Sequence, residues 1–343
     1  MMKPVSRRDF LRAGGYLVAG AAAAACAPAG APPGQHSAAG GGHLSLAGTS
    51  GAPMPGTVGE VDHQKNGFNP TEILRDFDYG TVSTLPDGAT LREWEVVSYN
   101  KGIEVVPGIE FPAWTFNGRM PGPTLRCTEG DRLRIAFKNG SDHPHTMHFH
   151  GFHAAGMDGV PPEGLVEPGG EFVYEFVAGP FGLHLYHCHA FPLARHIAKG
   201  LYGAFIVDPA AGRPKVDDEM VMVMSGIDVD FDDVNDFYAV NGIPFHFQNH
   251  PIQIRVGEAI RVYLVNILEF DVINSFHLHA NFFNYYPTGT SLTPSEFTDT
   301  VIQGQAQRGI LEFRYEYPGM YMFHAHVTEF AELGWTGMFE VLP

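Results

Sequence analysis

The chain has 343 residues, of which 38 are acidic and 21 basic, so its formal net charge at pH 7 is −17. Such a charge argues against nucleic acid or an anionic membrane surface as a partner. Gly and Pro number 41 and 26, which is typical of a turn-rich all-β protein rather than a helical bundle, and three cysteines cannot form a disulfide framework. The 18 histidines are the most informative count, because many of them fall in a regular pattern.

The N-terminal residues carry the features of an export signal. Residues 6–12 form a twin-arginine pattern, and an apolar run of 13 residues over 13–25 leads to Cys26. A bilayer span needs roughly 20 apolar residues. We therefore predict a twin-arginine signal peptide over 1–26, export by that route to the periplasm or cell surface, and either a lipid anchor at Cys26 or cleavage near it. Residues 27–59, rich in Gly, Ala and Pro, are expected to form a flexible linker.

The rest of the chain contains an internal repeat made of short alternating stretches separated by turns. The landmarks of the first copy are, in order, Asn117-Gly118, Gly130-Asp131, Asn139, His148-Phe149-His150 and His187-Cys188-His189. Those of the second copy are Asn241-Gly242, Gly257-Glu258, Asn266, His277-Leu278-His279 and His324-Ala325-His326. The pattern predicts two homologous all-β domains, each a sandwich or barrel, over 60–210 and 215–343.

Four His-x-His triplets stand at matching places of this repeat. On a strand, residues two apart project from the same face, so each triplet presents two imidazoles side by side and turns its middle residue the other way. Cys188 is then expected to face into its domain. Eight imidazoles arranged in this way predict a metal cluster, and imidazole by itself leaves the choice open between copper, zinc, iron and nickel.

A second candidate site surrounds Cys188. His145 stands just before the first triplet, and His196 stands eight residues after Cys188. Two histidines and a thiolate form the trigonal site of blue copper, whose weak axial ligand is usually Met. Leu201 occupies the place where that ligand is expected, and a leucine cannot coordinate. The sequence therefore predicts either a site without a thioether or the approach of Met157 or another donor from elsewhere.

With these motifs the chain resembles the two-domain multicopper oxidases, laccase-like relatives of copper nitrite reductase built from Greek-key cupredoxin domains, over about residues 93–343. The resemblance implies four coppers per chain. Type 1 copper would be bound by His145, Cys188 and His196, and type 2 copper by His148 and His277. The type 3 pair would be bound by His150, His187, His189, His279, His324 and His326. It also implies a homotrimer in which the first domain of one chain meets the second domain of the next to complete each cluster.

The repeat places other residues in or near these sites. In the second domain the positions of the type 1 ligands and of Leu201 are taken by Asn274, Ala325, Phe330 and Trp335, so only the first domain is expected to hold type 1 copper. Asp158 matches the acidic residue that relays protons near type 2 copper in similar oxidases. Histidines that fit no ligand position are His143, His184, His246 and His250. Cys127 has no obvious partner.

The resemblance implies an enzyme that takes electrons one at a time from a small phenolic, aromatic or metal-ion reductant and reduces O2 to water, as laccases do. A copper nitrite reductase is the first alternative, although in that family an acidic residue stands where this chain has His148 and a small residue where it has His189. A nonenzymatic copper-binding or electron-transfer protein is the second alternative, although it leaves three of the four triplets without a role.

Overall fold

A computed structural model describes residues 59–343, so the predicted signal peptide over 1–26 and residues 27–58 of the predicted linker lie outside the described residues. Within the described range the helices are short. They are α1 His63–Asn66, α2 Pro70–Ile73, α3 Leu193–Ala198, α4 His246–Asn249 and α5 Thr328–Glu332, with one 3₁₀ turn at Ala155–Met157. No helix among these residues has the length and apolar character needed to cross a membrane.

The strands before residue 210 form two sheets. They are β1 Phe77–Asp78, β2 Thr81–Thr84, β3 Thr90–Val106, β4 Ile109–Phe116, β5 Thr124–Thr128, β6 Arg132–Asn139, β7 His148–Phe149, β8 Glu171–Val177, β9 Gly182–His187 and β10 Tyr202–Asp208. Sheet I has the order β1-β5-β10-β9-β7, and sheet II has the order β2-β3-β6-β8 with β4 paired to β3.

The strands after residue 215 form two further sheets. They are β11 Asp218–Ile227, β12 Phe237–Val240, β13 Ile252–Arg255, β14 Ile260–Asn266, β15 Ile273–Leu278, β16 Phe283–Pro287, β17 Glu296–Thr298, β18 Thr300–Gly304, β19 Arg308–Phe313, β20 Gly319–His324 and β21 Thr336–Leu342. Sheet III has the order β12-β11-β14-β19-β16-β17, and sheet IV has the order β13-β21-β20-β15-β18.

The strand pairings of the two halves repeat, as the sequence landmarks predict. β5 runs parallel to β10 as β13 runs parallel to β21, and β3 runs parallel to β6 as β11 runs parallel to β14. β7 pairs with β9 so that His148 lies opposite His187, and β15 pairs with β20 so that His277 lies opposite His324. The all-β prediction is confirmed. The domain boundaries at 60–210 and 215–343, with which these sheets are compatible, stay a prediction.

The two Asn-Gly landmarks form equivalent hairpin turns. Asn117-Gly118 and Asn241-Gly242 all have positive φ, between 53° and 86°. Type I′ turns require this at both central residues, and Asn followed by Gly tolerates it best. Each asparagine side chain also accepts a backbone N–H from a neighbouring strand, from Val97 at 2.7 Å and from Val223 at 2.9 Å. The repeat therefore extends to the hydrogen bonds that hold each turn.

A largely buried arginine connects strands of the two halves. The Arg126 side chain, 8% exposed on β5, donates to Asp208 at the end of β10 and to Glu219 on β11, both at 2.7 Å. Its guanidinium also lies 4.9 Å from the ring centre of Phe77 and 5.5 Å from that of Tyr263. Both carboxylates are themselves only about one-fifth exposed. Asp208 pairs with Arg126, whereas Glu219 pairs with both Arg126 and Arg261, the latter at 2.8 Å.

Replacing Arg126 by Met keeps much of the apolar stem and removes the charge. We expect Arg126→Met to lower the free energy of unfolding by about 3 kcal/mol, because the shielded carboxylate of Asp208 loses its partner and that of Glu219 loses one of two. Arg134, whose side chain is 47% exposed beside Glu93, offers a matched control. Arg134→Met should cost less than about 1 kcal/mol. Urea unfolding of both variants tests the difference, and equal losses would contradict the role given to Arg126.

Candidate metal centre

Three of the predicted ligands meet in the core of the first half. Nδ1 of His145 lies 3.1 Å from Nδ1 of His196, and Sγ of Cys188 lies 3.3 Å from the latter and 3.8 Å from the former. All three residues are buried, with no more than 3% of their surface exposed. The backbone N–H of Thr146 donates to the sulfur at 3.4 Å. One sulfur and two ring nitrogens therefore converge on a single point.

Separate elements position these ligands. His145 forms an isolated bridge with Val166, Cys188 directly follows β9, and His196 lies on α3. Leu201 joins the last two, because its N–H donates to the carbonyl of His196 at 3.3 Å and its carbonyl accepts from Cys188 at 3.0 Å. Leu201 is fully buried next to this site.

Met157 does not supply the missing thioether in this structure. Its sulfur accepts the backbone N–H of Glu175 at 3.3 Å, on β8. The prediction of Met157 as an axial donor therefore finds no support, and the alternative of a site without a thioether is the one that the contacts favour.

Burial sets the protonation of the trigonal site. It lowers the pKa of His145 to about 3, with a further contribution from the neighbouring His196, and lowers the pKa of His196 to about 4. Both imidazoles are therefore neutral at pH 7, which is the form that binds metals. Burial raises the pKa of the Cys188 thiol to about 11. Such a thiol is deprotonated on metal binding. Two neutral imidazoles and one sulfur in a dry pocket fit copper well.

The first histidine set comprises His148, His150, His187 and His189. Nε2 of His150 lies 3.3 Å from Nε2 of His187, and the rings of His148 and His189 have their centres 5.2 Å apart. Nδ1 of His148 donates to the carbonyl of Asp158 at 2.7 Å, and Nδ1 of His187 donates to that of Cys188 at 2.9 Å. Such bonds orient an imidazole so that its other nitrogen can bind a metal. Nδ1 of His189 is buried without a partner.

The second histidine set comprises His277, His279, His324 and His326, and it repeats the geometry of the first. Nε2 of His279 lies 3.0 Å from Nε2 of His324, and the ring centres of His277 and His326 are 5.2 Å apart. Nδ1 of His324 donates to the carbonyl of Ala325 at 2.7 Å, as His187 does to Cys188. Nδ1 of His277 lies 3.0 Å from the carbonyl of Asp299.

The middle residues of the triplets point into the cores, as predicted. Phe149, Cys188, Leu278 and Ala325 are each no more than 1% exposed. The triplets nevertheless lie at strand ends rather than within strands. His187 and His324 are the last residues of β9 and β20, and the second histidine of every triplet lies beyond its strand. The alternation continues because His150 and His279, beyond the ends of β7 and β15, still donate backbone N–H bonds at 2.9 Å to β9 and β20.

The two histidine sets remain separate within one chain. Among residues 59–343, no group of three ligand atoms within 4.8 Å of one another combines members of both sets. Each set therefore offers four imidazoles to one side of a potential metal cluster.

The second half has no counterpart of the trigonal site. The positions aligned with the three residues of that site and with Leu201 hold buried side chains, namely Asn274, Ala325, Phe330 and Trp335. Phe330 stacks on Tyr238 with ring centres 3.9 Å apart. In the described part of the chain, no cluster of His, Cys, Asp or Glu ligand atoms occurs at this place. Aromatic packing fills the space that His145, Cys188 and His196 share in the first half.

Asp158 contacts the first set through its backbone and its side chain. Its Oδ1 lies 3.1 Å from Nδ1 of His148 and 3.6 Å from Nε2 of His153. The next residue, Gly159, has φ 67°, and a Cβ there would stand 2.1 Å from the carbonyl oxygen of Met147. Only glycine lets the loop approach the histidines this closely.

One further contact with the first set is not predictable from the sequence. Arg308 on β19 places Nη1 3.5 Å from Nδ1 of His150 and Nη2 3.4 Å from Nδ1 of His184. Its Nε donates to the carbonyl of Leu183 at 2.9 Å. A single arginine on a strand carries no motif, and only the folded chain brings it beside a histidine of the other half.

Comparison with known proteins agrees with this geometry. Two family models, both described as multicopper oxidase, match residues 100–212 and 215–343. A solved structure of a multicopper oxidase is 62% identical, superposes with a TM-score of 0.82, and covers 82% of this chain and 100% of its own. The chain belongs to the multicopper oxidases. The cupredoxin-like fold is thereby confirmed, and copper is the metal that its members use.

Other relatives of this multicopper oxidase include nitrite reductases. The copper-containing nitrite reductase of Neisseria meningitidis serogroup A is 29% identical over 246 residues, which are 66% of this chain and 63% of that protein. The blue copper oxidase of Nitrosomonas europaea is 26% identical with a TM-score of 0.64, covering 73% of this chain and 85% of that one. The chain thus spans slightly less than two thirds of the curated relative's length. The predicted relation to copper nitrite reductases is confirmed.

Proposed function

We propose that this multicopper oxidase is a laccase-type enzyme that couples four one-electron oxidations of a small reductant to the reduction of O2 to two waters. The observation that carries the proposal is the pair of matching four-histidine sets beside a single Cys-His₂ site. His145, Cys188 and His196 would hold one type 1 copper. The two sets would together hold one type 2 and two type 3 coppers, which makes four per chain. Copper bound there would supply one-electron redox chemistry.

The histidines at two positions favour oxygen over nitrite as the electron acceptor. His148 and His189 stand where nitrite reductases have an acidic and a small residue, and here their ring centres lie 5.2 Å apart within the first set. Both imidazoles add ligands for a cluster of several coppers. A single copper site needs neither of them, so the nitrite reductase alternative leaves these two side chains unexplained.

We further propose a homotrimer in which the first set of one chain faces the second set of the next. Large apolar side chains near each set are exposed. Near the first set, Phe152 is 73% and Phe191 76% exposed, and near the second set Phe282 is 48% and Phe297 69% exposed. Exposed aromatic residues of this kind mark interaction surfaces. A head-to-tail contact closed into a ring would cover both surfaces on every chain.

The covalent chain provides a short route between the sites. Cys188 of the trigonal site lies between His187 and His189 of the first set. The carbonyl of Cys188 also accepts the hydrogen bond from Nδ1 of His187 at 2.9 Å. Electrons entering at Cys188 would therefore cross only a few bonds to reach the cluster.

Export by the twin-arginine route, with or without a lipid anchor at Cys26, remains our proposal from the sequence.

A cleft lined by Trp114, His143 and Lys199 offers a place for the reductant. The largely buried Trp114 has its ring centre 4.7 Å from that of His196 and 5.2 Å from that of His145. Lys199 lies over the same indole at 4.9 Å, and the half-exposed ring of His143 packs 4.6 Å from it. An aromatic donor bound in the cleft against His143 and Lys199 would be separated from His196 by the Trp114 ring. A phenolic hydroxyl could bond to His143.

Removing His143 tests this docking site. We expect His143→Ala to raise the KM for a phenolic donor about fivefold, the effect of losing one hydrogen bond of about 1 kcal/mol. The blue colour should not change, because His143 is not a ligand. An inorganic metal-complex donor without a hydroxyl provides the control, and its KM should stay the same. Equal effects on both donors would contradict a specific contact between His143 and phenols.

Asp158 is proposed to deliver protons to the oxygen-reducing cluster. The isosteric change Asp158→Asn keeps the backbone carbonyl that accepts from His148 and removes only the carboxylate. We expect copper content and blue colour to be retained while the rate of O2 reduction falls about 100-fold, the lower end of the effect of general acid–base groups. Stopped-flow reoxidation of the reduced enzyme measures that rate directly.

Glu163 is exposed in the same loop and supplies the control. Glu163→Gln removes an equal charge without contact to the histidines, so its reoxidation rate should match that of the wild type. If Asp158→Asn reoxidises at the wild-type rate, protons reach the cluster by another path.

Oxygen uptake with a phenolic donor tests the proposed function as a whole. We expect four donor molecules to be oxidised per O2 consumed and no nitric oxide to form when nitrite is added. Nitrite reduction without oxygen uptake would establish the nitrite reductase alternative. Copper binding with neither activity would favour a nonenzymatic copper protein.

A further inference from the structure

Three histidines outside the copper sites converge from two distant parts of the chain. His63 begins α1, His246 begins α4, and His250 directly follows α4. One ring nitrogen of each lies within 4.8 Å of the other two. The ring centre of His246 is 4.9 Å from that of His63 and 4.6 Å from that of His250.

Local structure fixes each of these rings. His246 and His250 are four residues apart, so one helical turn places them on the same face, and the N–H of His250 closes that turn on the carbonyl of His246 at 2.8 Å. Their rings are stacked with an interplanar angle of 25°. Asp62 caps α1 by accepting two backbone N–H bonds at 3.0 Å, which fixes the position of His63.

Polar groups surround the cluster in the manner of a metal site. The Thr71 hydroxyl lies 2.8 Å from Nε2 of His246, and a Glu60 carboxylate oxygen lies 3.3 Å from Nε2 of His250. Partners of this kind hold one nitrogen of an imidazole and leave the other for a metal. Nδ1 of His63 is buried and has no hydrogen-bond partner. A buried, unpaired nitrogen is unfavourable unless something binds it.

The protonation of the cluster also suits a metal. Burial lowers the pKa of His63, and the proximity of His250 adds to this. Burial, together with His250 and His63, lowers the pKa of His246 to about 3. These two imidazoles are therefore neutral ligands at pH 7 without having to lose a proton.

We propose that His63, His246 and His250 bind one divalent transition-metal ion, Zn²⁺ or Cu²⁺, that fastens residues 59–73 to α4. Three imidazoles with a carboxylate close by form a donor set that both ions accept. The ion would reinforce existing contacts between these parts of the chain. Nearby, the carbonyl of Leu74 accepts from Val221 at 2.8 Å, and Arg75 pairs with Asp218 at 2.6 Å. This site does not depend on the proposed oxidase function.

Metal stoichiometry tests the proposal. Two copper-loaded proteins are compared, the wild type and the double variant His246→Ala/His250→Ala. One sample of each is dialysed against Zn²⁺ and another against additional Cu²⁺, and the bound metal is measured by mass spectrometry. We expect the wild type to hold one more ion per chain than the double variant, and the arm with the higher occupancy identifies the metal. Gln248→Ala, a change on the same helix, should behave like the wild type.

Two further measurements separate loss of the site from loss of the fold. His63→Ala removes a ligand from the other segment and should abolish the additional ion while the blue colour, which reports a folded first half, is retained. Hydrogen exchange over residues 59–73 should slow on metal addition in the wild type and Gln248→Ala only. Equal metal content in wild type, His63→Ala and the double variant would overturn the proposal, as would exchange rates that metal does not change.

Discussion

Cys188→Ser is expected to eliminate the blue colour of the copper-loaded protein and to reduce its oxidase activity by at least 1,000-fold, roughly the loss seen when an essential catalytic group is removed. The serine oxygen is a hard donor and does not replace the thiolate on which blue copper depends. Of the three residues of the trigonal site, only Cys188 is joined directly through the backbone to His187 and His189. The change therefore removes both the proposed electron entry point and its connection to the proposed cluster. Visible absorption and steady-state oxygen uptake measure the two effects.

Cys127→Ser is the matched control for this substitution. Cys127 is 1% exposed and packs in the same hydrophobic core as Cys188, but it belongs to no group of metal ligands in residues 59–343. A buried serine without a partner should cost about 1–3 kcal/mol of stability. Colour and activity should remain. Retained blue colour in Cys188→Ser would mean that the convergence of His145 and His196 on this sulfur does not form the type 1 site.

Two inactive variants are expected to restore activity when combined. His150→Ala damages only the first set and His324→Ala only the second. Each variant alone should lose far more oxidase activity than the 10–100-fold typical when a residue that hydrogen-bonds to a metal ligand is changed. In a trimer that joins the first set of one chain to the second set of the next, some interfaces of mixed trimers combine two intact sets. Random assembly from equal amounts of both chains makes about one quarter of interfaces intact.

Co-expression of the two variants, followed by oxygen uptake measurements, checks this expectation. Activity near one quarter of the wild-type value is the predicted result. The mixture of separately purified trimers, which have not exchanged chains, is the control and should stay inactive. Absence of activity after co-expression would contradict a cluster shared between chains and would require both sets to come from one chain.

Much of this organisation could be predicted from the sequence, because the relevant signals are local and occur twice. The Asn-Gly pairs at 117–118 and 241–242 predict turns with positive φ, and the alternation within each triplet predicts that Phe149, Cys188 and their counterparts are buried. A repeat strengthens each signal, since a chance match at one place does not recur at the same place in the other half.

Other features depend on which distant segments meet, and single residues do not reveal that. His246 and His250 fit no position in the repeat, and only the contact of α1 with α4 places His63 beside them. The His-x₃-His spacing was the one available signal, because on a helix it puts two imidazoles on one face. Arg308 and the cleft above Trp114 likewise arise from contacts across loops whose paths the sequence does not define.

The copper content of the fully loaded His246→Ala/His250→Ala variant tests the central claim most directly. This variant lacks the proposed additional metal site and retains all eleven proposed copper ligands. We expect four copper ions per chain, one with the type 1 absorption and three in the shared cluster. Two copper ions per chain would contradict the account, because the eight imidazoles would then not form a three-copper cluster and the protein would match a nitrite reductase instead.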